Sequence, residues 1–195
     1  MTLRRWPLGL CALALCGCAS SAPTRLYVIS PRPPAALPIG TGAALPPLQV
    51  LEVRLPAAFD RLEIVRLGQS DRVELSDFDR WAAPPGALAS EAFRRDLAAR
   101  LPGTTPSPPL GSPSPTARVL RVVVTSLERR PDGILASAVI EVRAPPGDPA
   151  AGTWPVSALL PEPAASPERQ ADLWSQIIAA LADQAAERLQ RGPVG

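Results

Sequence analysis

Val119-Leu-Arg-Val-Val-Val-Thr-Ser-Leu-Glu128, then Arg129-Arg-Pro-Asp-Gly133, then Ile134-Leu-Ala-Ser-Ala-Val-Ile-Glu-Val-Arg143 reads as two strands joined by a tight turn. Period-two alternation puts Leu120, Val122 and Val124 on one face of the first strand. In the second, Ile134, Ala136, Ala138, Ile140 and Val142 share a face, with Ser137, Glu141 and Arg143 opposite. Pro-Asp-Gly supplies the turn: Pro sets φ, Asp bonds nearby backbone, and Gly accepts a positive φ. The small alanines of the return strand leave room for a helix to lie close. A hairpin with one apolar face needs a second layer over it.

The chain offers two helices for that layer. Ser166-Pro167-Glu168 is a helix start, with Ser as cap, Pro at the first helical position and an acid in the first turn. The helix is expected to run to about Arg191 and stop at Gly192-Pro193. Leu173, Trp174, Ile177, Ile178, Leu181, Ala185 and Leu189 form its apolar face; Asp172, Gln176, Asp183, Glu187 and Gln190 form the wet one. Charges recur along its whole length, so it suits a sheet better than a membrane. A first helix is expected to open at Pro84-Pro85-Gly86 and end near Leu101 before Pro102-Gly103. Its buried stripe is Ala89, Phe93, Leu97 and Leu101, with Arg94, Arg95 and Asp96 off that stripe.

Further strands are expected at 25–30, 48–55, 62–67, 72–75 and 153–160. In the second of these, Leu51, Val53 and Leu55 share one face, Glu52 and Arg54 the other, and Pro56 ends it. Gly68-Gln-Ser-Asp71 is a turn, and Ser76 to Trp81 belongs to short mixed elements. Pro155 places its strand at an edge. Pro31 to Pro47 reads as an extended loop, and the Pro-rich stretch 102–117 as a surface loop between helix and sheet. The expected fold is α/β two-layer (α+β): a mixed, mainly antiparallel sheet with two principal helices on one face. No internal repeat is visible.

The N-terminus reads differently. Behind Arg4-Arg5 lies an apolar run, Trp6 to Gly17, of 12 residues. A spanning helix needs roughly 20, so the run suits an export signal. It closes on Leu15-Cys16-Gly17-Cys18, which resembles the bacterial lipoprotein signal. The Cys18 thiol would be the nucleophile that takes the lipid, and small Gly17 admits the peptidase. This divides the chain into a signal peptide at 1–17, a lipid anchor and tether at 18–24, and a domain at 25–191. The second position after cleavage is Ala19, not Asp, which implies delivery to the periplasmic face of the outer membrane.

Composition excludes much chemistry. Removing 17 residues leaves 178 of 195, enough for one domain with a core. All three cysteines (Cys11, Cys16, Cys18) lie at the signal, so neither a disulfide framework nor a Cys-based metal site is expected. Histidine and lysine are absent, which rules out Ser-His-Asp, Cys-His and Ser-Lys catalytic sets and the Lys of a phosphate loop. No catalytic residues, no cofactor and no metal are expected. Asp77 and Asp79 could pair as carboxylates, but a solvated loop explains them. All 20 basic residues are Arg; without Arg4 and Arg5, 18 face 18 acids, and they are scattered. No nucleic-acid partner is expected.

Val53-Arg-Leu-Pro-Ala-Ala-Phe-Asp-Arg-Leu-Glu-Ile-Val-Arg66 carries a family resemblance. Auxiliary lipoproteins of ABC-type lipid transport have a segment in which a strand ends in Pro, followed by an aromatic or Leu, Asp-Arg and an Ile-Val pair. Arg80-Trp81-Ala82-Ala83-Pro84 resembles their Arg-Trp-Ala segment before the first helix, and Leu26-Tyr27-Val28-Ile29 their opening strand. The chain departs from the pattern at Arg61-Leu62-Glu63, where Arg-Pro is usual, and in the length of its Pro-rich loop. The resemblance is to the paraquat-inducible (Pqi) type, which accompanies an MCE-domain periplasmic protein, an ABC permease and an ATPase. It implies a non-enzymatic outer-membrane lipoprotein that docks the MCE protein. The candidate partner-binding residues are Phe59, Asp60, Arg61, Arg80 and Trp81. Each keeps a structural reading beside that one: core for Trp81, local turn for Phe59, Asp60 and Arg61. A lipid ligand and a homo-oligomer stay open. The rival reading is an envelope-assembly chaperone lipoprotein serving an outer-membrane β-barrel or lipopolysaccharide machinery; a hydrolase is disfavoured by the missing His.

Overall fold

The computed structural model describes residues 22–34, 45–68, 72–108, 111–161 and 166–191. The signal peptide, Cys18, most of the tether, part of the 68–71 turn and the Gly192-Pro193 stop lie outside these residues. The elements are β1 (Arg25–Tyr27), β2 (Leu48–Arg54), β3 (Glu63–Leu67), β4 (Val73–Trp81), α1 (Pro85–Arg100), β5 (Arg118–Arg130), β6 (Gly133–Arg143), β7 (Gly152–Leu160) and α2 (Pro167–Arg191). The class is α+β, as the patterning predicts. The strands divide, however, into two mixed sheets in place of one. A four-stranded sheet has the order β2-β5-β6-β7, and a three-stranded one β1-β4-β3. Each contains one parallel pair, β2 with β5 and β1 with β4. The split follows from the turn after β2. Phe59 N–H (2.8 Å) and Asp60 N–H (3.1 Å) both donate to the Pro56 carbonyl, which coils the chain away from β2 before β3 begins.

The hairpin forms with the expected faces. Leu120, Val122 and Val124 on β5 and all five inward residues of β6 are buried. Pro131 and Asp132 make the turn, and Gly133 (φ 148°) starts the return strand. A Cβ at Gly133 would stand 2.1 Å from the Leu160 carbonyl oxygen, so β7 requires glycine there. After Val124 a bulge at Thr125 shifts the register, and the next inward side chain is Leu127.

Both helices cover this sheet. The expected stripes of α1 and α2 are buried in full. Ser166 caps α2, accepting from Arg169 N–H at 3.3 Å. α1 lies over β2 and beside α2, and α2 reaches β7, β6 and β3. The wet face of α2 is drier than expected, because Asp172, Gln176 and Asp183 are half-buried and Gln170 and Ser175 are buried. Among the described residues no helix is long and apolar enough to cross a membrane.

Three local expectations are corrected. The first strand is three residues long, and 76–81 is not a mixed segment but the second half of β4. In β2, Leu48 and Val50 point inward, a bulge follows, and Val53 and Leu55 resume; Leu51 is only half-buried. Asp96, though off the apolar stripe of α1, is 1 % exposed. The chain at 29–34 explains it by wedging between the helices. Ile29 enters the core, Ser30 N–H donates to Ser175 Oγ (3.0 Å), and Arg32 N–H donates to Asp96 Oδ1 (2.6 Å). Arg32 also pairs with Asp172 and Arg100 with Asp183, so both helices are clamped onto the wedge.

The sheet edges are occupied. The Pro-rich loop touches β2, with Val50 N–H donating to the Ser107 carbonyl (3.0 Å) and Ser107 N–H to the Leu48 carbonyl (3.1 Å). At the other edge β7 carries Pro155, and Gln184 of α2 donates to the Ser157 carbonyl at 2.9 Å.

Candidate functional site

The five residues singled out from sequence gather where the smaller sheet meets the start of α1, but they divide into two sets. Phe59 (7 % exposed) and Trp81 (4 %) are core. Phe59 meets Trp174 of α2 edge-to-face, centroids 5.8 Å apart. Trp81 ends β4, its N–H donating to the Leu62 carbonyl at 2.8 Å. As side chains offered directly to a partner, these two are therefore corrected: they fill space beneath the surface. For Trp81 the reason is strand parity, which turns Asp79 and Trp81 inward and Phe78 and Arg80 outward; for Phe59 it is the coil closed by its N–H on the Pro56 carbonyl.

Asp60, Arg61 and Arg80 are exposed. Arg61 Nε lies 3.1 Å from one Glu63 oxygen, and Arg80 lies 3.6 Å from the other. Two guanidinium groups thus share one carboxylate. Glu63 is held below the usual carboxylate range, first by its own backbone N–H and then by Arg61. Asp60 stands at the N-terminus of α1, where Pro84 has no side-chain cap to give. Its Oδ1 sits 3.4 Å from Gly86 N–H, so it serves the helix dipole from outside the helix. Beside it opens a cleft of about 380 Å³ lined by Glu52, Val53, Arg54, Leu55, Asp60 and Ser90 among others. Ser90 closes its floor, accepting from Val53 N–H (2.8 Å) and donating to the Gly86 carbonyl (2.7 Å).

A second network, missed from sequence, fixes β1. Arg25 grips Asp79 with two bonds, Nε–Oδ1 at 2.7 Å and Nη2–Oδ2 at 3.0 Å. Tyr27 OH lies between Asp79 Oδ1 (3.0 Å) and Glu168 Oε1 (2.7 Å), linking β1 to β4 and to the first turn of α2. Burial works against ionising Asp79, but Arg25, Ser76 and Tyr27 outweigh it and hold the carboxyl below its ordinary range. Burial, and then the two carboxylates, push the Tyr27 phenol up. Asp79 is buried and Asp77 exposed, so the pair reads neither as a solvated loop nor as a catalytic dyad. The signal for the network was Arg25-Leu-Tyr27 itself, since alternate residues of a strand share a face; its partners are more than 50 residues away. Among the described residues no cluster of His, Cys, Asp or Glu is placed to hold a metal ion.

Comparison with known proteins agrees with this architecture. A family model described as ABC-type transport auxiliary lipoprotein component matches residues 27–186. A search of curated proteins finds no match. Among solved structures, the crystal structure of an uncharacterized protein is similar with a TM-score of 0.65 at 18 % identity, covering 85 % of this chain and 98 % of its own. Protein XCC0632 from Xanthomonas campestris, assigned to the family DUF330, is similar with a TM-score of 0.56 at 10 % identity, covering 83 % and 91 %. At such identities the likeness speaks for the fold.

Proposed function

We propose a docking role for this chain, which belongs to the family of ABC-type transport auxiliary lipoprotein components. In this reading the protein is a non-enzymatic accessory of an MCE/ABC-type intermembrane lipid transport system. Cys18 carries the lipid, and the anchor is in the inner leaflet of the outer membrane. The exposed set Asp60, Arg61 and Arg80 receives the MCE-domain protein of the same system, with Phe59 and Trp81 holding the surface from below. The observation that carries the reading is the exposed ion cluster at Glu63, where two guanidinium groups share one carboxylate inside the family-matched segment. Arg suits interfaces because its planar fork binds carboxylates through two bonds.

The test is recovery of the MCE protein from detergent-solubilised envelope, using wild type and Arg61→Ala. Truncating a central interface Arg costs about 2 kcal/mol or more, roughly a thirtyfold loss of affinity. Failure of the wild type to recover any MCE or permease component, even after cross-linking, would sink the transport reading and favour an assembly chaperone. Equal recovery by both proteins would spare the function and remove Arg61 from the site.

A further inference from the structure

The outer face of the smaller sheet is divided by chemistry. Parity puts Leu26 and Val28 outward on and just beyond β1, while Tyr27 and Ile29 turn in. Leu26 is in register with Arg80, so it shares the outward side with Arg80 and with Phe78 two residues before it. Leu26 is 65 % exposed, Val28 49 % and Phe78 43 %. Across the same face, at the β3 edge, stand Glu63 and its two arginines. The exposed apolar side chains Leu26, Val28 and Phe78 thus gather toward β1 without a charge among them, while toward β3 the ion cluster surrounds a lone exposed leucine, Leu62, with Arg80 reaching across from β4. The network of Arg25, Tyr27, Asp79 and Glu168 holds the apolar edge in place, so its exposure is built into the fold.

Chain length says what covers it. Arg25 is 25 − 18 = 7 residues from Cys18. A chain of that length reaches at most about 25 Å. A domain of this size is about 40 Å across. A body on so short a leash keeps the leashed side toward the bilayer, and the leash enters at the apolar edge. We infer that Leu26, Val28 and Phe78 form a membrane-contact face that dips into the interfacial region of the bilayer beside the lipid anchor, turning the ionic β3 edge toward the aqueous phase. Apolar side chains at a headgroup boundary add to the hold of an acyl anchor, which is marginal for a single chain. The inference rests on the lipid at Cys18 from the reading above but not on the identity of the transport partner.

The test uses the mature lipidated protein in vesicles of phosphatidylethanolamine and phosphatidylglycerol. Lipid occupies its one cysteine, so Leu26→Cys, Phe78→Cys and, as control, Thr125→Cys on the exposed part of β5 each give a single labelling site. All three positions are exposed, which keeps the fold out of question. With an environment-sensitive dye, labels at 26 and 78 should shift to the blue on vesicle binding and lose emission to brominated acyl chains; the label at 125 should do neither. Flotation of the protein with vesicles but without quenching at 26 and 78 would overturn the contact face and spare the anchor. Failure to float would overturn both. Blue-shifted labels that escape lipid quenching but cross-link between chains would assign the face to a second copy and likewise overturn the inference. None of these outcomes depends on recovery of the MCE protein.

Discussion

Removing the indole of Trp174 tests the link between the core and the turn at Phe59. Trp174 is 2 % exposed and meets Phe59, the residue before Asp60-Arg61, at 5.8 Å with an interplanar angle of 65°. A buried Trp covers about 200 Å², which at ~25 cal/mol per Å² amounts to about 5 kcal/mol. That is the top of the roughly 3–5 kcal/mol range for Phe or Trp truncated to Ala, against a total stability of about 5–15 kcal/mol. Trp174→Ala should therefore lower the urea midpoint sharply at constant slope. The ring contact itself is isolated with milder changes, Trp174→Leu and Phe59→Leu, alone and together. The double variant should be less destabilised than the sum by about 0.5–1.5 kcal/mol. Circular dichroism in the far ultraviolet follows unfolding without relying on Trp emission. A midpoint for Trp174→Ala equal to wild type would refute the burial and move the side chain to an interface. Strict additivity of the two Leu variants would refute the ring contact.

Two further predictions concern charge. Arg118 and Asp148 form a two-bond pair at 2.8 and 2.9 Å with both side chains 9 % exposed, and Asp148 also accepts from Ala150 N–H at 2.9 Å. Breaking a buried pair from one side costs about 3–5 kcal/mol, so Asp148→Ala should lower the thermal midpoint markedly; a loss under about 1 kcal/mol would mean that the pair behaves as a surface one. Asp96 is pushed up to about 6 by burial, against the opposing pull of Arg32 N–H and Arg100. Its folded pKa lies above its unfolded one, so the native state takes up the proton first and stability rises as pH falls through 6. Linkage gives about 1.4 kcal/mol from this group between pH 7 and pH 5. Asp96→Asn keeps an acceptor for Arg32 N–H and should lose that slope in urea midpoints measured across the same range; parallel slopes in the two proteins would refute the assignment.

Much of the fold was legible where side chains repeat with a clear period. The faces of β5 and β6 and the stripes of α1 and α2 follow from spacing alone, because each apolar position meets the same layer. Bulges defeat such reading. One inserted residue at Leu51 reverses the parity of β2 after Val50, and no side chain there announces it. The two parallel pairings join segments more than 50 residues apart, so nothing local in β1 or β2 specifies a partner. The burial of Asp96, off the apolar stripe, is not legible in α1 because its cover comes from the 29–34 wedge and not from its own helix. For the candidate site, the sequence names the residues but not which way each side chain turns. The aromatics Phe59 and Trp81 went inward while Asp60, Arg61 and Arg80 stayed out. The absence of Lys acquires physical content at Arg25 and Arg118, where an ammonium group could not supply the two-bond grip.

The occupied edges of the four-stranded sheet bear on how the molecule survives crowding. Unpaired strand edges are templates for ribbon growth between neighbouring copies. Here Ser107 already takes the bonds that β2 would offer a stranger, and at β7 a ring without an N–H and the Gln184 amide blunt the opposite side. Both margins of the four-stranded sheet thus carry a contact that opposes growth onto another copy.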